Sequence, residues 1–358
     1  MVYEGYYFNP SYAGFREGAI SYCLDGYQVP LRRPLMVREG KAWMSGADLS
    51  DLLSVFPAVE KRKLNHSEYV PAQDILEGMC YRMQPYGNHL LLPIEPSFPG
   101  CREDEIAEIL AQVQGECGDF RGVYWHVGLQ RWAPYRIYLP RSYGEGKMNP
   151  LIVGLHGGGG SPDSFFTHSR DAVKEYAERD GYILLAPDAS TRNSSYGCAL
   201  PPFGMEHAVL DPSCAENPAH LTENELQWVH MGEIGLTQIM EEVCETYFVD
   251  EKRIFLMGNS MGGMGTLYYA ARYPEKFCKI SPAGALPDMT FFDDSALRST
   301  PVLFVAGEKD VHGVKWMREG CRKMQEDGIP LKYREVEGGT HGSAWVDVLD
   351  EIFDFFRD

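Results

Sequence analysis

Residues 255–277 read FLMGNSMGGMGTLYYAARYPEKF. The apolar run Phe255–Met257 stops at Gly258, and a 3.6-residue period resumes through Met264, Leu267, Tyr268 and Ala271 before Pro274. The stretch is therefore a strand, a turn and a helix, with Ser260 in the turn between Gly258 and Gly262. A strand-to-helix turn this tight lifts its central side chain off the backbone and leaves room only for small neighbours. In a parallel sheet, ligands meet the carboxyl ends of the strands. The helix N-terminus also places partial positive charge beside Ser260, where an oxyanion would develop. G-x-S-x-G in this setting is the pattern of an exposed nucleophile.

A serine hydroxyl reacts poorly until a base takes its proton, and the base needs a third group to hold its tautomer. In a strand–turn–helix setting the order along the chain is serine, acid, histidine. Two histidines follow Ser260: His312, after GEKDV, and His341, within EGGTHGSAW. His341 lies in a glycine-rich turn between a predicted strand and the last helix, where the base is expected; His312 reads as a loop neighbour. The strand PVLFVAG (301–307) leads into Glu308 and Asp310. Asp310 is the preferred acid and Glu308 the alternative, whereas Asp188 precedes the serine and reads as a capping carboxylate.

Acyl transfer also needs donors aimed at the tetrahedral oxyanion. One is the backbone N–H of Met261. The other is expected from Gly157 or Gly158 in LIVGLHGGGG (151–160), where glycines let the backbone approach a substrate. His156 is read as a brace for that loop. Tyr196 and Trp345 are the candidates for lining the substrate pocket.

Around these motifs the chain alternates strands and helices from about residue 120. Strands are read at YRIYLP (135–140), PLIVGLHG (150–157), GYILLAPD (181–188), RIFLMG (253–258) and LKYREVEG (331–338). Helices are read at SRDAVKEYAERD (169–180), from a capping box at Thr222 and Glu225, around 316–324, and at the end through Trp345, Val348, Leu349 and Ile352 on one face. Short apolar strands between helices predict an α/β fold with a mostly parallel sheet. Residues 189–221 fit neither element and read as a lid-like loop. Before residue 119 the pattern differs. Strand-like AISYCLDGYQVPL and PLMVREGKAWMS turn at Asp25-Gly26 and Glu39-Gly40, a short helix follows at 46–56, and an amphipathic helix through Ile106, Ile109, Leu110 and Val113 ends at Gly115. The expected organisation is a small α+β domain at 1–118 and a catalytic domain at 119–358.

Composition narrows the function classes. With 358 residues, 44% of them hydrophobic, the chain supports substantial cores. The formal charge of −18 argues against nucleic acid or an anionic membrane as partner. Nine cysteines without CxxC pairs suggest reduced, mostly buried thiols, and His156, His168, His207, His220 and His230 lack metal-ligand spacing. Neither a metal nor an organic cofactor is expected. No membrane span or signal peptide is evident, so the expected location is cytoplasmic, or exported with the signal already removed.

YRIYLPRSY, PLIVGLHGGGG, YFVDEKRIFLMGNSMGGMGTLYYAARYPEKF, PVLFVAGEKD and GGTHGSAW together resemble the α/β-hydrolases. Within them the likeness is to the feruloyl esterase, polyhydroxybutyrate depolymerase and predicted-peptidase branch, over about residues 120–358. The resemblance implies an α/β-hydrolase fold, a triad of Ser260, Asp310 and His341, and an oxyanion site made by Met261 and the HGGGG loop. It also implies hydrolysis of carboxylic esters, with small-molecule or oligosaccharide-linked esters as substrates. Peptide or amide cleavage, polyester depolymerisation and a non-catalytic binding role are the alternatives. LDGYQVPLRRPLMVREGKAWMSGADLSDLL (24–53) is similar to the copper-amine-oxidase-like N-terminal domain of many bacterial enzymes. Such domains imply a binding or assembly module, here covering the cleft or making a homodimer.

Overall fold

A computed structural model describes residues 12–15, 17–19, 21–24, 27–39, 41–53, 69–78, 84–86, 89–93, 117–129, 131–144, 147–190, 194–198, 222–287 and 294–358. The chain divides into two compact units. The first takes Met1–Gly115, Arg121–Trp125 and Gln130–Pro134, and the second Glu116–Phe120, His126–Leu129 and Tyr135–Asp358.

The first unit contains β1 (Tyr12–Phe15), β2 (Ser21–Leu24), β3 (Tyr27–Pro30), β4 (Met36–Arg38), β5 (Lys41–Ser45), β6 (Tyr69–Val70), β7 (Gln84–Tyr86) and β8 (His89–Pro93). They form a five-stranded sheet in the order β3-β2-β1-β8-β7 and a three-stranded sheet β4-β5-β6, all pairs antiparallel. The pairings Leu24↔Tyr27 and Arg38↔Lys41 leave two residues for each connection, the spacing of tight hairpins. Helices α1 (Gly46–Leu53) and α2 (Ala72–Gly78) accompany the sheets. Leu49, Leu52 and Leu76 share a buried core with Phe15, Tyr22, Leu35 and Met44. The helix expected through Ile106–Val113 lies outside the described residues.

An eight-stranded sheet runs β16-β15-β14-β13-β11-β12-β10-β9. Its strands are β9 (Gly118–His126), β10 (Arg131–Leu139), β11 (Asn149–Leu155), β12 (Ile183–Pro187), β13 (Val249–Asn259), β14 (Lys279–Ala283), β15 (Val302–Gly307) and β16 (Leu331–Val336). β11 to β16 pair in parallel and β10 runs antiparallel to β12. Every residue of β11 and β15 is buried, as a sheet covered on both faces requires. Helices α3 (Pro162–His168), α4 (Ala172–Asp180), α5 (Glu223–Thr246), α6 (Met261–Arg272) and α7 (Val314–Glu326) lie between the strands, and α8 (Ala344–Asp347) and α9 (Leu349–Arg357) follow β16.

The two faces of the sheet follow from strand alternation. Phe255 and Met257 pack with Phe165, Phe166, Val173, Ala177, Trp345 and Phe353 from α3, α4, α8 and α9. Gly258 has the opposite parity to Met257, and a Cβ there would sit 2.4 Å from Gly262 O at the start of α6. α6 therefore covers the other face, at the height of β13's carboxyl end.

Three elements differ from the sequence expectation. The helix read from Ser169 begins at Ala172, because Arg170 and Asp171 turn through left-handed conformations (φ 54° and 65°) and separate it from α3. The final helix is two, broken at Val348 (φ −126°, ψ 27°). Part of the irregular 189–221 segment is built into the core: Ser194–Cys198 is a buried turn, and the rest of the expected lid beyond it lies outside the described residues.

Candidate active site

The carboxyl ends of β11, β13, β15 and β16 bring the sequence-predicted residues to one place. β13 ends at Asn259, and Ser260 takes φ 60°, ψ −119° before α6 begins. Such a backbone costs a side-chain-bearing residue about 1–3 kcal/mol. It is held by Ser260 N–H donating to Ala283 O at 2.9 Å and by Met264 N–H donating to Ser260 O at 3.0 Å. The flanking glycines are required by contact. A Cβ on Gly262 would lie 2.1 Å from Leu155 O, so no larger residue lets α6 start this close to β11.

Asp310 follows β15 and His341 follows β16. His341 Nδ1 donates to Asp310 Oδ2 at 2.8 Å, and Asp310 Oδ1 accepts from His312 N–H at 2.9 Å. Burial by itself would raise the Asp310 carboxyl. The bonds from His341 and His312 N–H outweigh it and hold the carboxyl below the usual carboxylate range. Glu308 takes a different position and accepts from Gly338 N–H at 2.8 Å, tying the two loops together. The His312 ring lies edge-on to His341 with centroids 4.5 Å apart. With its Nδ1 proton committed to Asp310, His341 keeps a bare Nε2, buried and without a hydrogen-bond partner among the described residues.

Ser260 and His341 line one cavity of about 380 Å³, together with Asn259, Trp345 and the loop His156–Gly160. Gly157 stands across from the serine: a Cβ there would lie 3.6 Å from Ser260 Cβ. His156 Nδ1 donates to Gly157 O at 2.9 Å, and His156 N–H donates to Tyr196 Oη at 3.1 Å. His156 is thus held through its imidazole Nδ1 and through its backbone N–H. Burial lowers its pKa, ahead of the opposing pull of the Gly157 carbonyl and the Asp188 charge.

One expectation is corrected. Tyr196 is fully buried and is not among the residues lining the cavity. Its ring packs at the Gly265 face of α6, and its hydroxyl accepts from the His156 N–H. Trp345 does line the cavity, with its ring stacked on Phe165 at 5.6 Å and 15°. Helix α3, absent from the sequence reading, supplies Phe165, Ser164 and His168 to the wall. Its signal was present in Ser161-Pro162: Pro stands at the first helical position, and Ser161 N–H donates to Ser164 Oγ at 2.8 Å.

The Esterase family model matches residues 128–356. The chain belongs to the Esterase family. Among curated proteins it is 29% identical over 127 residues to feruloyl esterase B of Neurospora crassa, covering 36% of this chain and 36% of that protein. It is 24% identical over 251 residues to a bifunctional acetylxylan esterase/xylanase of Neocallimastix patriciarum, covering 61% of this chain and 32% of that protein. The chain spans about a third of the length of these two relatives. Among solved structures it superposes on the fluorophosphonate-binding serine hydrolase F of Staphylococcus aureus with a TM-score of 0.52 and 14% identity, over 68% of this chain and all of that one. That likeness is one of fold. The second unit of this Esterase-family chain has the α/β-hydrolase fold, carrying its serine at the β13–α6 turn. Among the described residues no helix is long and apolar enough to cross a membrane, and no cluster of metal-ligating side chains occurs.

Proposed function

We propose that the chain is a serine esterase in which Ser260, His341 and Asp310 form a catalytic triad. The observation that carries this reading is the pairing of His341 Nδ1 with Asp310, which leaves Nε2 without a partner among the described residues in a residue that lines the same cavity as Ser260. Nε2 accepts the Ser260 proton as Oγ attacks the ester carbonyl. The imidazolium so formed is stabilised by Asp310 and then protonates the leaving alcohol. Water, activated by the same nitrogen, releases the acid from the acyl-enzyme. The oxyanion is received by the Met261 N–H at the start of α6 and by Gly157 or Gly158 N–H from the facing loop. No step exchanges electrons.

The substrates proposed are aromatic or sugar-linked carboxylic esters. Phe165, Trp345 and His168 give the cavity flat aromatic walls, and the relatives are named feruloyl esterase and acetylxylan esterase. The first unit is proposed as an accessory module that shapes specificity or assembly.

Hydrolysis of p-nitrophenyl esters from acetate to decanoate, and of methyl ferulate, by wild type and Ser260→Ala tests the reading. Activity that disappears in the variant supports it. A folded wild type inert on every ester, with Ser260 unreactive toward a fluorophosphonate, overturns it.

A further inference from the structure

Asp310 ties His341 down at one atom, and one hydrogen bond does not orient a ring. The torsion that turns an imidazole about its Cβ–Cγ bond is broad. A ring tied only through Nδ1 rocks about that bond and carries Nε2 off line, and a reacting group misplaced by about 1 Å loses much of its effect. Two other contacts bear on the imidazole. Along its Nδ1–Cε1 edge lies Gly284, where a Cβ would stand 3.2 Å from both atoms. Against it stands the ring of His312, with centroids 4.5 Å apart and planes inclined at 61°. Edge-to-face packing of this kind sets the tilt that a single hydrogen bond leaves loose.

The His312 side chain is exposed, but its backbone is fixed by the acid. Asp310 Oδ1 accepts from His312 N–H at 2.9 Å. Asp310 O accepts from Gly313 N–H and Val314 N–H at 3.4 Å each, where α7 begins. Gly313 takes φ 130°, a value that side-chain-bearing residues rarely adopt, and so closes the turn between the acid and the helix. Asp310 therefore holds His341 by its ring and His312 by its backbone. One carboxylate places both members of the imidazole pair.

Resting on the triad reading, we propose that His312 is a positioning residue: its ring packs on His341 and keeps the imidazole at the tilt from which Nε2 takes the Ser260 proton. His312 supplies a flat surface and carries no proton in the reaction. It is not among the residues lining the Ser260 cavity, so it acts through His341 and not on a substrate.

The experiment compares wild type, His312→Ala and His312→Phe, each as the full chain, on p-nitrophenyl butyrate. Both substitutions keep the backbone N–H that Asp310 accepts, so they change the ring alone. His312→Ala is expected to lower kcat about three- to tenfold with KM within about twofold of wild type. Fluorophosphonate labelling of Ser260 should slow by the same factor. His312→Phe, which has a ring but no ionisable nitrogen, is expected to restore most of both rates. The downfield proton resonance of His341 Nδ1–H should be sharp in wild type and His312→Phe and broadened in His312→Ala. Wild-type rates or an unbroadened resonance in His312→Ala overturn the inference. A loss that His312→Phe fails to restore overturns it too, by assigning the effect to the His312 nitrogens. So does a change confined to KM, which would put His312 on the substrate. All of these results leave the triad reading standing. A wild type without Ser260-dependent hydrolysis overturns that reading, and the inference with it.

Discussion

His341 Nδ1 and Asp310 Oδ2 stand 2.8 Å apart across the loops that follow neighbouring strands β15 and β16. The carboxylate side chain is fully buried and the imidazole one-fifth exposed. An acid so placed fixes which imidazole nitrogen faces the cavity, and removing its charge leaves the ring free to adopt the wrong tautomer. Asp310→Asn should therefore lower kcat about 10⁴-fold with little change in KM, checked by steady-state kinetics on p-nitrophenyl butyrate.

Ser260 holds a backbone that glycine adopts freely and alanine does not. Ser260→Gly and Ser260→Ala should both be inactive, yet differ in stability. The glycine variant is expected to be more stable than the alanine variant by roughly 1–3 kcal/mol, read from urea denaturation midpoints. Equal stabilities would mean that the turn is not strained.

Gly262→Ala tests the contact that lets α6 start against β11. The added methyl meets a backbone oxygen, Leu155 O, which cannot rotate away as a side chain could. Destabilisation of roughly 1–3 kcal/mol is expected. Activity should fall as well, because Leu155 leads directly into the His156–Gly160 loop; thermal melts and kinetics measured together check both effects.

Acid should loosen the second unit through two carboxylates. Burial by itself raises Asp119. The bonds from Arg136 (Nε donates to Oδ1 at 2.7 Å) and Lys174 reverse this and lower its pKa, as those from the two histidine residues do for Asp310. A carboxyl lowered in the folded state stabilises above its unfolded pKa, about 4, and that stabilisation is lost as pH falls through the folded value. The urea midpoint should hold from pH 7 to about 5 and drop below about 4. Arg136→Met, which leaves the partly exposed Asp119 with Lys174 alone, should cost about 1–2 kcal/mol at pH 7 and flatten that acid limb.

The sequence carried the parts of this fold that repeat a pattern. Continuous apolar strands and one-sided helices follow from burial, and G-x-S-x-G follows from crowding at a turn, so both can be read one residue at a time. Asp310 was preferred over Glu308 by its place alone, and only the packed loops show Glu308 engaged with Gly338 N–H. Helix α3 escaped because seven residues are too few to display a period. The break at Arg170 and Asp171 escaped because an aspartate only weakly signals a left-handed backbone and an arginine does not signal one at all. Tyr196 was misplaced for a different reason. An aromatic in an irregular stretch is equally compatible with a pocket wall and a core, and the choice is made by Gly197 and Gly265, which open space around its turn from α5 and α6.

The turn that carries Tyr196 bears on how this scaffold can be remodelled. Ser194 Oγ donates to Ala189 O, and Tyr196 Oη receives the His156 N–H, so the first third of the variable-looking 189–221 segment is stitched to the glycine loop facing Ser260. Grafting a relative's loop at Ala189 would import a different support for that loop. A splice made after Cys198 would leave the support native.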